Sequence, residues 1–134
     1  MYQLKTESSF DAAHFLKGHP GKCRNLHGHR WKVEIVLESS EISDGMIIDF
    51  ADVKHALRDL TEELDHSFIF EKGSLKNTTL TALSDEGFKL NEVPFRPTAE
   101  NFAKYFFDAM KEKGFPMKSA AVYETPANCA LYTE

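Results

Sequence analysis

The stretch "KCRNLHGHRWKVEIVLE", Lys22–Glu38, decides how the chain is read. Trp31, Val33, Ile35 and Leu37 alternate with Arg30, Lys32, Glu34 and Glu38, broken only by Val36. A period of two marks a strand with one buried and one wet face. Carried back toward the N-terminus, it sets His27 and His29 on the apolar side. Gly28 between them has no side chain, so both imidazoles are expected to converge on one metal without crowding. The pair reads as a two-nitrogen clip.

The preceding segment has the same parity. Tyr2, Leu4, Thr6, Ser8, Phe10, Ala12 and His14 share one face if residues 2–14 are extended. After Glu38, "SSEISDG" predicts a turn, and "MIIDF" a short third strand or edge leading into a helix. Val53, Leu57, Leu60 and Leu64 follow at helical spacing, with Asp49 or Asp52 as cap or dipole partner. Residues 68–96 predict only one short helix around Leu80 and Leu83, ended by Gly87; this stretch is open as a lid, an oligomer contact or a decorated loop.

Pro97 and Thr98 open a clearer helix. Its stripe of Phe102, Ala103, Phe106, Ala109 and Met110 reads as core, and Gly114 suits its C-terminal cap. "SAAVYET" and "CALYTE" then predict two strands around the turn-like "PAN". The order strand, strand, helix, helix, strand, strand implies an α+β fold: an antiparallel four-stranded sheet with two main helices on one face, as a single domain over residues 1–134.

Composition narrows the partners. A formal charge of -5 and a pI near 5.7 argue against nucleic acid. No apolar run approaches the roughly 20 residues that span a bilayer, and no leader-like segment opens the chain, so no membrane partner and a cytoplasmic location are expected. Two cysteines, Cys23 and Cys129, are too few for a disulfide framework. Cys129 is expected to pack in the sheet, His19 to lie in a loop and His55 on a helix surface.

Zinc takes nitrogen and sulfur ligands tetrahedrally, and His14 has the parity to join His27 and His29 as a third nitrogen. Three ligands leave a corner for substrate. Cys23 as fourth ligand would instead close the site and make it structural, the mark of a non-catalytic zinc-stabilised binding or assembly module.

The motifs "FDAAH", "CRNLHGH", "MIIDF", "LDH", "PTAEN" and "YET", spanning Phe10 to Thr125, resemble the 6-pyruvoyl-tetrahydropterin synthase family. The three-residue gap between Cys23 and His27 resembles its 6-carboxy-tetrahydropterin synthase branch, which acts in queuosine biosynthesis. This resemblance implies a tunnelling fold, with subunits joined edge to edge into a homohexamer of stacked trimers. It implies Zn2+ on His14, His27 and His29, and a pterin triphosphate as substrate. Cys23 would transfer protons, with Lys22 and Arg24 favouring its thiolate. His66 would relay them, oriented by Asp65, and Glu124 would anchor the pterin and join the relay.

Thr98 is a secondary substrate contact, although helix capping explains it equally well. Lys17, Lys22, Arg24 and Arg30 are candidates to attract the triphosphate. The implied reaction converts 7,8-dihydroneopterin triphosphate and water to 6-carboxy-5,6,7,8-tetrahydropterin, acetaldehyde and triphosphate. The alternative within the family is triphosphate elimination to 6-pyruvoyl-tetrahydropterin.

Overall fold

A computed structural model describes all 134 residues, Met1–Glu134. Two long strands form its spine: β1 (Tyr2–His14) and β2 (His27–Ser39), paired antiparallel from Tyr2↔Ser39 to His14↔His27. Their alternation is as the sequence predicts. Leu4, Thr6, Phe10, Ala12 and His14 of β1, and Trp31, Val33, Ile35 and Leu37 of β2, are buried on one face. Lys5, Glu7, Arg30, Lys32 and Glu34 occupy the other.

That second face is lined by charged side chains rather than by packed apolar ones. Glu7 stands opposite Glu34, and each like charge is offset by a diagonal lysine, Lys32 at 3.7 Å from Glu7 and Lys5 at 3.4 Å from Glu34. Such exposed pairs contribute little stability; they keep an open sheet face wet.

Helix α1 (Phe50–Leu64) follows a tight turn in which Asp44 and Gly45 both take left-handed backbone, φ 52° and 77°. "MIIDF" is therefore not a strand. One bridge, Ser43↔Met46, closes the turn, and Asp49 caps α1 by accepting the amide hydrogen of Ala51 at 2.8 Å. Val53, Leu57, Leu60 and Leu64 pack on β1 as their spacing requires.

The sheet is the main departure from expectation. It has six strands in the order β4-β3-β1-β2-β5-β6, mixed rather than antiparallel. The two additional strands, β3 (Ser67–Glu71) and β4 (Leu90–Val93), run parallel to β1 and to each other, with α2 (Asn77–Asp85) between them. The short helix expected around Leu80 and Leu83 is α2. It buries no residue, so the two main helices are α1 and α3 (Ala99–Glu112).

The last strands, β5 (Met117–Thr125) and β6 (Asn128–Thr133), complete the antiparallel side. Phe102, Phe106 and Met110 of α3 are fully buried, with Phe102 edge-on to Trp31 at 5.0 Å and to Phe10 at 6.0 Å. Truncating Phe102 to alanine in such packing costs about 3–5 kcal/mol. Cys129 corrects its expectation: β6 is an edge strand, and Cys129, opposite Tyr123, is exposed. His19 lies in a loop and His55 on the exposed face of α1.

Candidate metal centre and flanking clefts

The register His14↔His27 brings the end of β1 against the start of β2, and Ala12↔His29 sets the third ring one step further along. The three ring centroids lie 4.6, 4.8 and 5.2 Å apart. Trp31 forms the floor, edge-on to His14 at 4.8 Å and to His29 at 5.3 Å. Its indole N–H donates to the Ala12 carbonyl at 3.3 Å, which fixes the floor to β1.

Two backbone carbonyls set the chemistry of the rings. His14 Nδ1 donates to the Pro97 carbonyl at 2.8 Å, and His27 Nδ1 donates to the Asn25 carbonyl at 2.6 Å. A carbonyl only accepts, so each neutral ring carries its proton on Nδ1 and a lone pair on Nε2. These two Nε2 atoms face each other at 3.1 Å. Two lone pairs at that distance repel unless a cation or proton lies between them.

The neighbours intensify this demand. His29 Nε2 is buried without a hydrogen-bond partner, although Glu124 Oε1 lies 2.8 Å away, out of the alignment a hydrogen bond needs. The same carboxylate oxygen is 3.9 Å from His14 Nε2. Burial, the largest influence, holds the His14 and His29 imidazoles below their ordinary value of 6.5, against the opposing pull of the Pro97 carbonyl on His14 and of Glu124 on both. Three imidazoles and a carboxylate, with ligand atoms all within 4.8 Å of one another, form a donor set that fits a divalent transition metal. The Nδ1 bonds to carbonyls are the outer support such ligands require.

Cys23 is not in this group of four. It sits half-buried in a one-turn 3-10 helix, Lys22–Arg24, held to the end of β1 by the Leu16 amide, which donates to the Cys23 carbonyl at 2.8 Å.

Asp65 and His66 form a second group, with Asp11. Asp65 Oδ1 accepts the Asp11 amide hydrogen at 2.8 Å, and Asp65 Oδ2 lies 2.9 Å from His66 Nδ1. The Asp11 amide, then the His66 side chain, hold the Asp65 carboxyl below the usual aspartate range. His66 is exposed, with left-handed backbone at φ 54°, and its amide donates to the Asp11 carbonyl at 2.7 Å.

His66 lines a cleft of about 550 Å3 on the open sheet face, with Asp11, Gly28, Arg30, Phe68 and Lys89. Glu124 borders a second cleft there, about 440 Å3, with Ser9, Gly28, Lys32, Tyr123 and Thr125. Gly28 belongs to both. Its expected role as spacer between the imidazoles is not what the structure shows: an added Cβ would point to the open face and meet only ordinary contacts, the nearest with the Ala12 carbonyl at 3.6 Å. The glycine keeps the common floor of the two clefts low.

Thr98 caps α3, its Oγ1 accepting the Asn101 amide hydrogen at 3.2 Å. Arg30 is 3.4 Å from Asp11, so its charge is already partly met; Lys17, Lys22 and Arg24 are exposed. Sequence reading missed the Pro97 and Asn25 carbonyls, since a backbone acceptor leaves no trace in residue type. It also missed how near Glu124 comes to the histidines.

The chain matches the family model described as 6-pyruvoyl tetrahydropterin synthase over residues 3–134. It is 35% identical to a Haemophilus influenzae protein named 6-carboxy-5,6,7,8-tetrahydropterin synthase, across 100% of both chains. It is 34% identical to a Rickettsia bellii protein of the same name, across 96% of this chain and 97% of that one. Among solved structures, a 6-pyruvoyl tetrahydropterin synthase from Plasmodium vivax shares the fold, with a TM-score of 0.78 at 22% identity over 99% of this chain and 97% of the other. With the strand order, the imidazole cluster and these likenesses in agreement, the chain belongs to the 6-pyruvoyl tetrahydropterin synthase family.

Proposed function

We propose that this chain is a zinc-dependent 6-carboxy-tetrahydropterin synthase of queuosine biosynthesis, converting 7,8-dihydroneopterin triphosphate and water to 6-carboxy-5,6,7,8-tetrahydropterin, acetaldehyde and triphosphate. The observation that carries this is the opposition of the two Nε2 lone pairs at 3.1 Å beside His29 and Glu124. That arrangement is costly in a purely structural histidine cluster and is relieved by a cation. The names of the relatives supply the branch.

His14, His27 and His29 would hold the zinc, whose chemistry there is Lewis-acid polarisation of substrate hydroxyl oxygens. Cys23, outside the ligand group, is the base that takes and returns a proton at Sγ. His66, oriented through Nδ1 by Asp65, keeps Nε2 free to exchange that proton. Glu124, at the border of its cleft, accepts the two parallel N–H groups of the pterin edge and joins the relay. Thr98 is a weaker candidate contact, since its hydroxyl is engaged as a cap.

By strand parity His14, His27 and His29 share the face of Trp31, whereas His66 lines the cleft on the open face, which His29 also borders. In our reading the complete relay draws His66 from a neighbouring copy of the chain. Strands β4 and β6 end the sheet with unpaired edges, suited to the homohexamer of stacked trimers.

Incubating zinc-loaded protein with dihydroneopterin triphosphate and identifying the products tests this reading. Acetaldehyde with a carboxypterin is expected; a pyruvoyl pterin without acetaldehyde overturns the branch. A His27→Ala protein that keeps both metal and turnover overturns the metal site.

A further inference from the structure

Helix α1 ends in an unusual electrostatic setting. Its last turn carries Glu62 and Glu63 and no basic residue, with Asp65 just beyond, where the negative end of the helix dipole disfavours carboxylates. No glycine follows to terminate it; His66 takes the left-handed position itself. The terminal carbonyls must be satisfied from elsewhere.

The Asp65 amide donates to the Glu62 carbonyl at 3.3 Å and the Ser67 hydroxyl to that of Leu64 at 2.6 Å, and the remaining donors come from β4 and its approach. Lys89 Nζ donates to the carbonyls of Glu62 and Asp65, both at 3.0 Å. Asn91 Nδ2 donates to the Glu63 carbonyl at 3.0 Å. Lys89 is itself anchored, because its carbonyl accepts the Phe68 amide hydrogen at 3.0 Å. One cation thus serves two of the terminal carbonyls and holds the peptide joining Asp65 to His66, and it lines the same cleft as His66.

We infer that Lys89, with Asn91, is a positioning residue for His66: it locks the strained turn that holds the Asp65 carboxylate on the Asp11 amide and the His66 ring toward the cleft. This rests on the reading of His66 as the proton relay. It also gives the segment between β3 and β4 a task, closing onto the end of α1 through its final residues. The lysine touches no reacting atom and acts only through the turn.

The test uses zinc-loaded, assembled protein carrying Lys89→Met, Lys89→Arg, His66→Ala, or Lys89→Met with His66→Ala. Lys89→Met should lower kcat about tenfold, with KM and zinc content nearly unchanged. Amide exchange at Asp11 and His66 should accelerate. Lys89→Arg should restore slow exchange and most turnover, and Lys89→Met should add no further loss to His66→Ala. Normal kcat or normal exchange in Lys89→Met, or a loss that adds to that of His66→Ala, overturns the inference. Should Lys89→Met fail to assemble, Asn91→Ala must show the same exchange change in smaller degree, or the inference falls. If His66→Ala alone keeps full turnover, the relay reading fails, and the exchange measurement by itself decides whether Lys89 holds the turn.

Discussion

Glu124 Oε1 stands 2.8 Å from the buried Nε2 of His29, so one carboxylate borders both the imidazole group and the cleft beside Gly28. Whether it serves the metal or the substrate has a direct measure. Glu124→Gln keeps the shape and removes the charge, and we expect full zinc content with kcat/KM lowered roughly 10- to 100-fold, the worth of charged hydrogen bonds to the pterin edge. A loss of zinc in parallel with activity would make Glu124 a ligand instead.

Cys23 lies outside the ligand group, and its removal should separate chemistry from metal. Cys23→Ala is expected to retain one zinc per chain and its melting temperature while turnover falls by at least about 100-fold. Zinc loss with unfolding would revive the closed structural site.

Acidification should weaken the metal-free protein. Burial sets the folded-state values of His14 and His29 below 6.5. Between those values and about 6.5 the unfolded chain binds more protons than the folded one, so stability falls as pH drops through that window and is full above it. Melting curves of chelator-treated protein from pH 8 downward should show the decline starting near 6.5; zinc should extend the stable range to lower pH. A flat profile without metal would contradict the assigned burial effect.

Gly28→Ala should leave the strand intact, with a gain of up to about 0.5–1 kcal/mol from the lost backbone freedom of glycine. The methyl group would rise from the floor common to both clefts. We expect normal zinc and an unchanged or raised melting temperature with KM increased several-fold, and a larger increase for Gly28→Val. Unaltered KM in both variants would place the substrate elsewhere.

The parts of this fold that show in the sequence are those governed by local period. β1, β2, α1 and α3 bury the residues that their alternation or helical spacing selects, and His14, His27 and His29 fall on one face for the same reason. β3 and β4 escape notice because they are five and four residues long, and the parallel pairing of β3 with distant β1 and of β4 with β3 leaves no turn signal between partners. "MIIDF" misleads in the opposite direction: its apolar run looks like a strand, but Ile47 and Ile48 pack against the core from a turn. The meeting of Asp65 with Asp11 is equally hidden, since it depends on a backbone amide 54 residues away.

Trp31 is the sole tryptophan of the chain, fully buried with its ring edge against His14 and His29. Its fluorescence therefore originates beside the imidazole rings proposed to hold the metal. Protonation or metallation of those rings changes their power to quench an adjacent indole, so the unlabelled protein carries a built-in optical gauge of its own loading state.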